Sequence, residues 1–406
     1  MRNCKSGCGR WRRKKACLHR SEATLGATEQ NAYLSTDNQC ARDTVTQAAG
    51  QAVTGANRGV RLLCFGMVLL IAACAPRATA ERAAPNPAAT VVPIYVATGR
   101  RLDQTGPIFG LERTEGLRYF RTDVSVPPTH QPGQIEWPDG PPDAATDFVV
   151  TGTEVFPSPG AMVNEVRQEH AGRETLLFVH GYNNTLSEAM YRLAQIQTDF
   201  DTGMPGLLFS WPSAGDPRGY IYDRDSVLYA RDDLTDMLRQ LTRAPGDKVF
   251  LLAHSMGSSL VMESLREIAL SGDRHLLNRI SGVVLMSPDI DPDVFDRQAE
   301  VIGKLPQPFL IFITKADRAL TVSGFITGRK PRLGMIDTVD KVQRPDVQVF
   351  DFSTLADGSG LNHFVPVTSP AAIGLLREIL AESGPQSSDF VKSMALRLPK
   401  PKVLQP

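Results

Sequence analysis

The chain has 406 residues, 44 basic and 44 acidic side chains and six cysteines. Residues 1–74 hold 11 of the basic and 4 of the acidic groups, which leaves 33 basic against 40 acidic, a net of −7, for the remainder. That balance disfavours a nucleic-acid binder. All six cysteines lie at or before position 74, so no disulfide framework or cysteine metal site is expected beyond it.

Residues 1–57 read as a leader. Up to about 52 they show no apolar periodicity, and they represent either a misplaced start, with Val53 or Val60 as the true one, or a disordered basic segment. Arg58 and Arg61 then precede the apolar core Leu62 to Ala73, the layout of a signal peptide over 58–73. Twelve apolar or small residues are too few for a bilayer that needs about 20. Ile71-Ala72-Ala73-Cys74 resembles a bacterial lipobox, which implies lipidation of Cys74 after cleavage. Ala75, in place of an aspartate, implies the periplasmic face of the outer membrane. The alternative is an ordinary signal peptide and a secreted or periplasmic protein. Residues 74–91, rich in Pro and Ala, read as a linker, 92–383 as the folded domain and 384–406 as a flexible tail.

Within the domain, 93–97 and 119–126 read as antiparallel edge strands, separated from the rest by the turn-rich Pro127-Pro128, Pro132-Gly133 and Gly140-Pro141-Pro142. Six apolar runs follow, at 175–180, 206–211, 247–253, 282–287, 308–314 and 347–352. Helical stretches fill every gap but one, which at this length argues a doubly wound, mostly parallel α/β sheet. In the helix before the third run, Val227, Ala230, Leu234, Leu238 and Leu241 form one stripe, and Asp223, Arg224, Asp232, Asp236 and Arg239 read as its solvated face. Trp211-Pro212-Ser213 is a candidate pocket wall. The exception to helical filling is 318–346, an irregular excursion with Arg329, Lys330 and Arg332 that is a candidate for substrate selection.

Lys248 to Gly257 is an apolar strand breaking into a small turn centred on Ser255, with a helix behind it. A serine on such an elbow projects its hydroxyl from the sheet, and the next N–H, of Met256, helps to bind an oxyanion. A hydroxyl needs a base, and the base an orienting acid, in the chain order Ser, acid, His. Asp317, after the 308–314 strand, and His363, after the last one, fill those places. Asp289 and Asp291 are the rival acids. His275 precedes the acid and is set aside. His180-Gly181-Tyr182, at the end of the first run, offers the second oxyanion donor in the Tyr182 N–H, with His180 structural. The chemistry calls for no cofactor or metal.

His180-Gly181-Tyr182-Asn183-Asn184, Phe209-Ser210-Trp211-Pro212-Ser213, Ala253-His254-Ser255-Met256-Gly257, Ser287-Pro288-Asp289-Ile290-Asp291 and Asp317-Arg318-Ala319-Leu320 together resemble a family of bacterial α/β-hydrolases of largely undefined substrate. Val96 to Arg100 and Val124 to His130 extend the resemblance over roughly 92–383. That family often has serine after Asn-His, where this chain has Phe364. The resemblance implies the α/β-hydrolase fold and a serine hydrolase, esterase- or lipase-like, acting on a small-molecule or lipid acyl substrate. The competing reading is a noncatalytic envelope lipoprotein that uses the scaffold for binding.

Overall fold

The computed structural model describes residues 77–383, except 103–108, 173, 329, 337–341, 343, 357 and 359–360. The leader, the signal peptide, Cys74 and the tail from 384 lie outside the described residues. Nine strands form one sheet in the order β3-β2-β1-β5-β4-β6-β7-β8-β9. They are β1 Thr90–Leu102, β2 Phe109–Val126, β3 Val149–Phe156, β4 Thr175–Val179, β5 Gly206–Ser210, β6 Val249–His254, β7 Ile280–Met286, β8 Phe309–Ile313 and β9 Gln348–Asp351. From β1 through β9 the pairing is parallel, and only the β1–β2 and β2–β3 ladders are antiparallel.

The helices are α1 Pro159–Glu169, α2 Leu186–Phe200, α3 Tyr220–Tyr229, α4 Arg231–Leu241, α5 Met256–Leu270, α6 Pro292–Ile302, α7 Arg318–Ile326 and α8 Pro370–Ser383, with single helical turns at Arg274–Leu277 and Val365–Thr368. They cover both faces of the sheet. Leu177 and Val179 point into a core closed by α1 and α3–α6, whereas Leu176 and Phe178 of the same strand point into one closed by α2 and α8. This is why the parallel strands are written as unbroken apolar runs. Each fully buried Leu, Ile or Phe contributes about 1.5–3 kcal/mol. The stripe Val227, Ala230, Leu234, Leu238 and Leu241 is buried as expected, although it is split between α3 and α4. Among the described residues no helix is long and apolar enough to cross a membrane.

Several features differ from the reading of the sequence. The segments read as edge strands are not at the edge: β1 pairs parallel with β5 on its far side, strand β3 is added outside β2, and β2 itself begins ten residues earlier than the apolar pattern at 119 indicates. The excursion 318–346 contains α7 and a 3₁₀ turn at Leu333–Met335, because Asp317 caps a helix through the Leu320 N–H at 2.9 Å. The stretch read as a linker is held against the domain from Arg77 onward. Ala83 N–H donates to Val150 O, Val150 N–H to Glu81 O, and Ala80 N–H to Ser187 Oγ.

Candidate active site

The parallel strands deliver their loops to one edge, the carboxyl ends, and the candidate residues collect there. Ser255 follows β6 directly and sits at φ 52°, ψ −121°, a conformation that costs a non-glycine residue about 1–3 kcal/mol. It is held by its neighbours. Ser255 N–H donates to Met286 O at 2.9 Å, and Ser255 O accepts from Asp289 N–H at 3.1 Å. Gly257 makes the turn possible, since a Cβ there would lie 2.3 Å from His180 O and 2.6 Å from Val179 O. Asn183, Ser287 and Asn362 also have positive φ, and each is on a loop at this same edge. Met256, the first residue of α5, presents its N–H at a helix N-terminus, where such groups lack an intrahelical acceptor.

Asp317 and His363, 46 residues apart, meet with His363 Nδ1 2.6 Å from Asp317 Oδ2. The other oxygen of Asp317 caps α7, so one buried carboxylate serves both as a cap and as a histidine partner. The two loops are also joined by Arg318 N–H to Leu361 O at 3.0 Å and by Asn362 Nδ2 to Ala316 O at 3.4 Å. Donation from Nδ1 fixes the tautomer and leaves Nε2 to act as a base. The His363 ring lies against His254, the neighbour of Ser255, at a centroid distance of 4.5 Å, and His254 in turn stacks on Phe364 at 3.5 Å. Burial, and secondly the neighbouring His363, holds His254 well below the usual histidine range, so the ring is neutral packing.

The loop after β4 approaches the serine closely, for a Cβ on Gly181 would meet His254 Nδ1 at 2.5 Å and Ser255 Cβ at 2.9 Å. The N–H groups that follow Tyr182 are engaged elsewhere. Asn183 donates to Asp223 Oδ2 at 3.1 Å and Asn184 to Ser213 Oγ at 3.2 Å. Asp223 also accepts from Ser213 Oγ at 2.6 Å and Ala214 N–H at 2.6 Å. This residue, read as part of a solvated face, is fully buried and braces the loop; burial raises its pKa against those hydrogen bonds. Arg100 is the second brace that the sequence did not reveal. It is buried and donates to Ser210 Oγ, Ser213 O and Asn184 O at 3.0, 2.9 and 2.7 Å. His180 is buried and pushed down to about 3 by burial and by Arg100. Its two nitrogens face the carbonyls of Gly181 and Trp211, of which a neutral ring can donate to one. Trp211 is fully buried, stacked on His180 and donating to its carbonyl, so it packs the loop and does not wall a pocket.

The rival acids are occupied. Asp289 accepts from Arg332 Nε at 2.5 Å, Ser323 Oγ at 2.6 Å and Tyr220 OH at 3.0 Å, all buried. Burial works against the Arg332 charge, but the adjoining Asp289 carboxylate raises its pKa overall. Asp291 caps α6 through the Asp293 N–H. Beside this network is a cavity of about 480 Å³, walled by Tyr220, Ile221, Met256, Asp289, Thr327 and Arg332 among others. Two residues of the 318–346 excursion, Thr327 and Arg332, are in its wall with Met256. Among the described residues no cluster of His, Cys, Asp and Glu is arranged to hold a metal.

Known proteins resemble this chain at several levels. An uncharacterised protein of Nostoc sp. is 25% identical over 143 residues, 29% of this chain and 37% of that protein, so the chain spans well under half of the curated relative. Dienelactone hydrolase from Anabaena variabilis aligns at 12% identity and TM-score 0.33, over 67% of this chain and 94% of that one. A thermophilic esterase from Thermogutta terrifontis aligns at 14% and 0.32, over 71% and 96%, and lipase B from Aspergillus fumigatus at 14% and 0.32, over 58% of each chain. At scores this low neither activity nor substrate transfers. Residues 159–380, more than half of the chain, match the family described as alpha/beta hydrolase of unknown function (DUF900), and the chain belongs to that family.

Proposed function

We propose that this protein is a serine hydrolase that cleaves an ester or related acyl bond through an acyl-enzyme, and that lipid on Cys74 holds it at the cell envelope. Ser255 Oγ attacks the acyl carbon while His363 Nε2 takes its proton. The tetrahedral oxyanion is held by the N–H groups of Tyr182 and Met256, and His363 returns the proton to the leaving group. Water then repeats the sequence on the acyl-serine and releases the acid. Asp317 orients His363 and stabilises its charged form. The observation that carries this reading is the 2.6 Å Asp317–His363 contact, on loops bonded to each other at the edge where Ser255 sits on its strained turn. The substrate class is a small-molecule or lipid acyl compound.

A fluorophosphonate probe tests the nucleophile. Wild-type protein should be labelled at Ser255, and Ser255→Ala should lose both labelling and ester turnover. Residual turnover above about a tenth of wild type overturns the assignment, because loss of the attacking group costs far more. Wild-type protein that takes no label would instead be a noncatalytic binding lipoprotein. For the anchor, Cys74→Ser should release the protein or leave it unprocessed, as read by fractionation and mass spectrometry of the mature N-terminus. An unmodified N-terminus beyond Cys74 would make it a secreted hydrolase.

A further inference from the structure

Helix α7 turns its apolar side chains two ways. Leu320 packs inward, while Val322, Phe325 and Ile326, spaced i, i+3 and i+4, are 60%, 64% and 49% exposed. Leu361, 56% exposed, adjoins the start of the helix through the Arg318 N–H to Leu361 O bond. Beyond the end of α7, Ile221 of α3, 59% exposed, shares the wall of one cavity with Thr327. Clustered apolar exposure of this kind marks an interaction surface. Arg318 is exposed at the first position of the helix, whereas Lys330, just beyond its end, is paired with Asp293 at 3.3 Å.

The point at which the preceding chain joins the domain identifies the occupant. Arg77 donates to Asn183 Oδ1 at 2.8 Å, Asn183 O at 3.0 Å and Gly215 O at 3.1 Å, and forms a 2.6 Å ion pair with Glu188. Asn183 and Gly215 lie on the loops after β4 and β5, at the same carboxyl edge that carries α7 after β8. In the sheet order three strand spacings, about 14 Å, separate β4 from β8. The chain is therefore fastened at the same edge of the sheet as the apolar surface, three residues after Cys74.

We infer that Val322, Phe325, Ile326 and Leu361, with Ile221 at their border, form a docking face for a phospholipid bilayer. The face turns the candidate active site toward the membrane surface, with Arg318 at the level of anionic headgroups. This rests on the lipid-anchor reading for the choice of occupant, but not on hydrolase activity.

The test reads the face itself. Full chain carrying Val322→Trp is reconstituted in phosphatidylethanolamine–phosphatidylglycerol vesicles, with or without dibrominated phosphatidylcholine, and wild-type tryptophan emission is subtracted. The added emission should fall by about half or more in the brominated vesicles. Leu270→Trp, at the exposed far end of α5, should be unaffected. Should Val322→Trp fail to fold, Phe325→Trp keeps an aromatic ring and reports on the same face. Quenching at 322 no greater than at 270, in protein that floats with the vesicles, would leave the anchor intact and overturn the docking face. Protein that does not float overturns both. An unquenched fluorophore in a chain that cross-links to a second copy would assign the face to self-association. None of these readouts depends on turnover, so a failed serine assignment is seen separately in the probe experiment.

Discussion

Gly257 has no space for even one methyl group. Its missing Cβ would press on two backbone carbonyls at the end of β4, those of Val179 and His180, which cannot give way as a side-chain tip does. Gly257→Ala should therefore displace the elbow and reduce ester turnover by at least about a hundredfold, since even small misplacement of reacting groups is that costly. Circular dichroism beside the kinetics would show the sheet retained. The acidic residues separate by what each faces. Asp317→Asn should lower turnover by up to about 10⁴, through the wrong histidine tautomer. Asp289→Asn weakens a buried ion pair, for which removal of a partner costs about 3–5 kcal/mol, and should lower the melting temperature more than kcat. Asp291→Asn should touch only a helix cap and a 3.8 Å surface ion pair with Lys330. The opposite ranking would move the acid to the loop after β7.

The elements differ in how openly the sequence announces them. The six parallel strands β4 to β9 are legible because burial on both faces forces continuous apolar runs, and the candidate nucleophile and base are legible because strand ends punctuate those runs. β3 was not, since Val-Val-Thr-Gly-Thr-Glu-Val-Phe belongs to an edge strand with several exposed positions. The first half of β2, with its charged Glu112, Arg113 and Glu115, hides for the same reason. Helix α7 is obscured by Gly324 and by apolar residues that do not face the core. Asp223 reads as solvated because a charge on an amphipathic pattern looks exposed until tertiary partners cover it, and Arg100 stands in a recognisable signature that gives no hint of its buried partners. Their importance is testable. Asp223→Ala would leave three loop donors without their acceptor, and should lower kcat by about ten- to a hundredfold with less effect on KM, in protein whose melting curve remains cooperative.

Stability of the whole molecule should depend on pH through the connection between β2 and β3. His130 lies between Glu136 and Asp199, at 2.9 and 3.1 Å, and so ties that connection to α2. Burial lowers its pKa, but the two carboxylates outweigh burial and raise it from 6.5 to about 9. The charged form is favoured by folding. Its contribution is complete below pH 6.5 and is lost as the pH rises through about 9. Melting temperature should fall over that interval, and His130→Gln should flatten the decline while lowering stability at pH 6.

The position of β1 has a further consequence. It lies inside the sheet, between β2 and β5, and Ile94 to Thr98 pair along the whole of β5. The family match begins at 159, after the first three strands. A protein cut at that boundary would keep every candidate catalytic residue, yet it would bare the hydrogen-bonding groups of Gly206–Ser210, a strand buried throughout. Open apolar edges recruit other chains. Expression of 159–383 should give aggregates on size exclusion, whereas 77–383 should elute as discrete, soluble protein. On that expectation the portion most easily recognised by kinship is smaller than the portion that folds alone, and the N-terminal strands serve as a cover against edge-to-edge association.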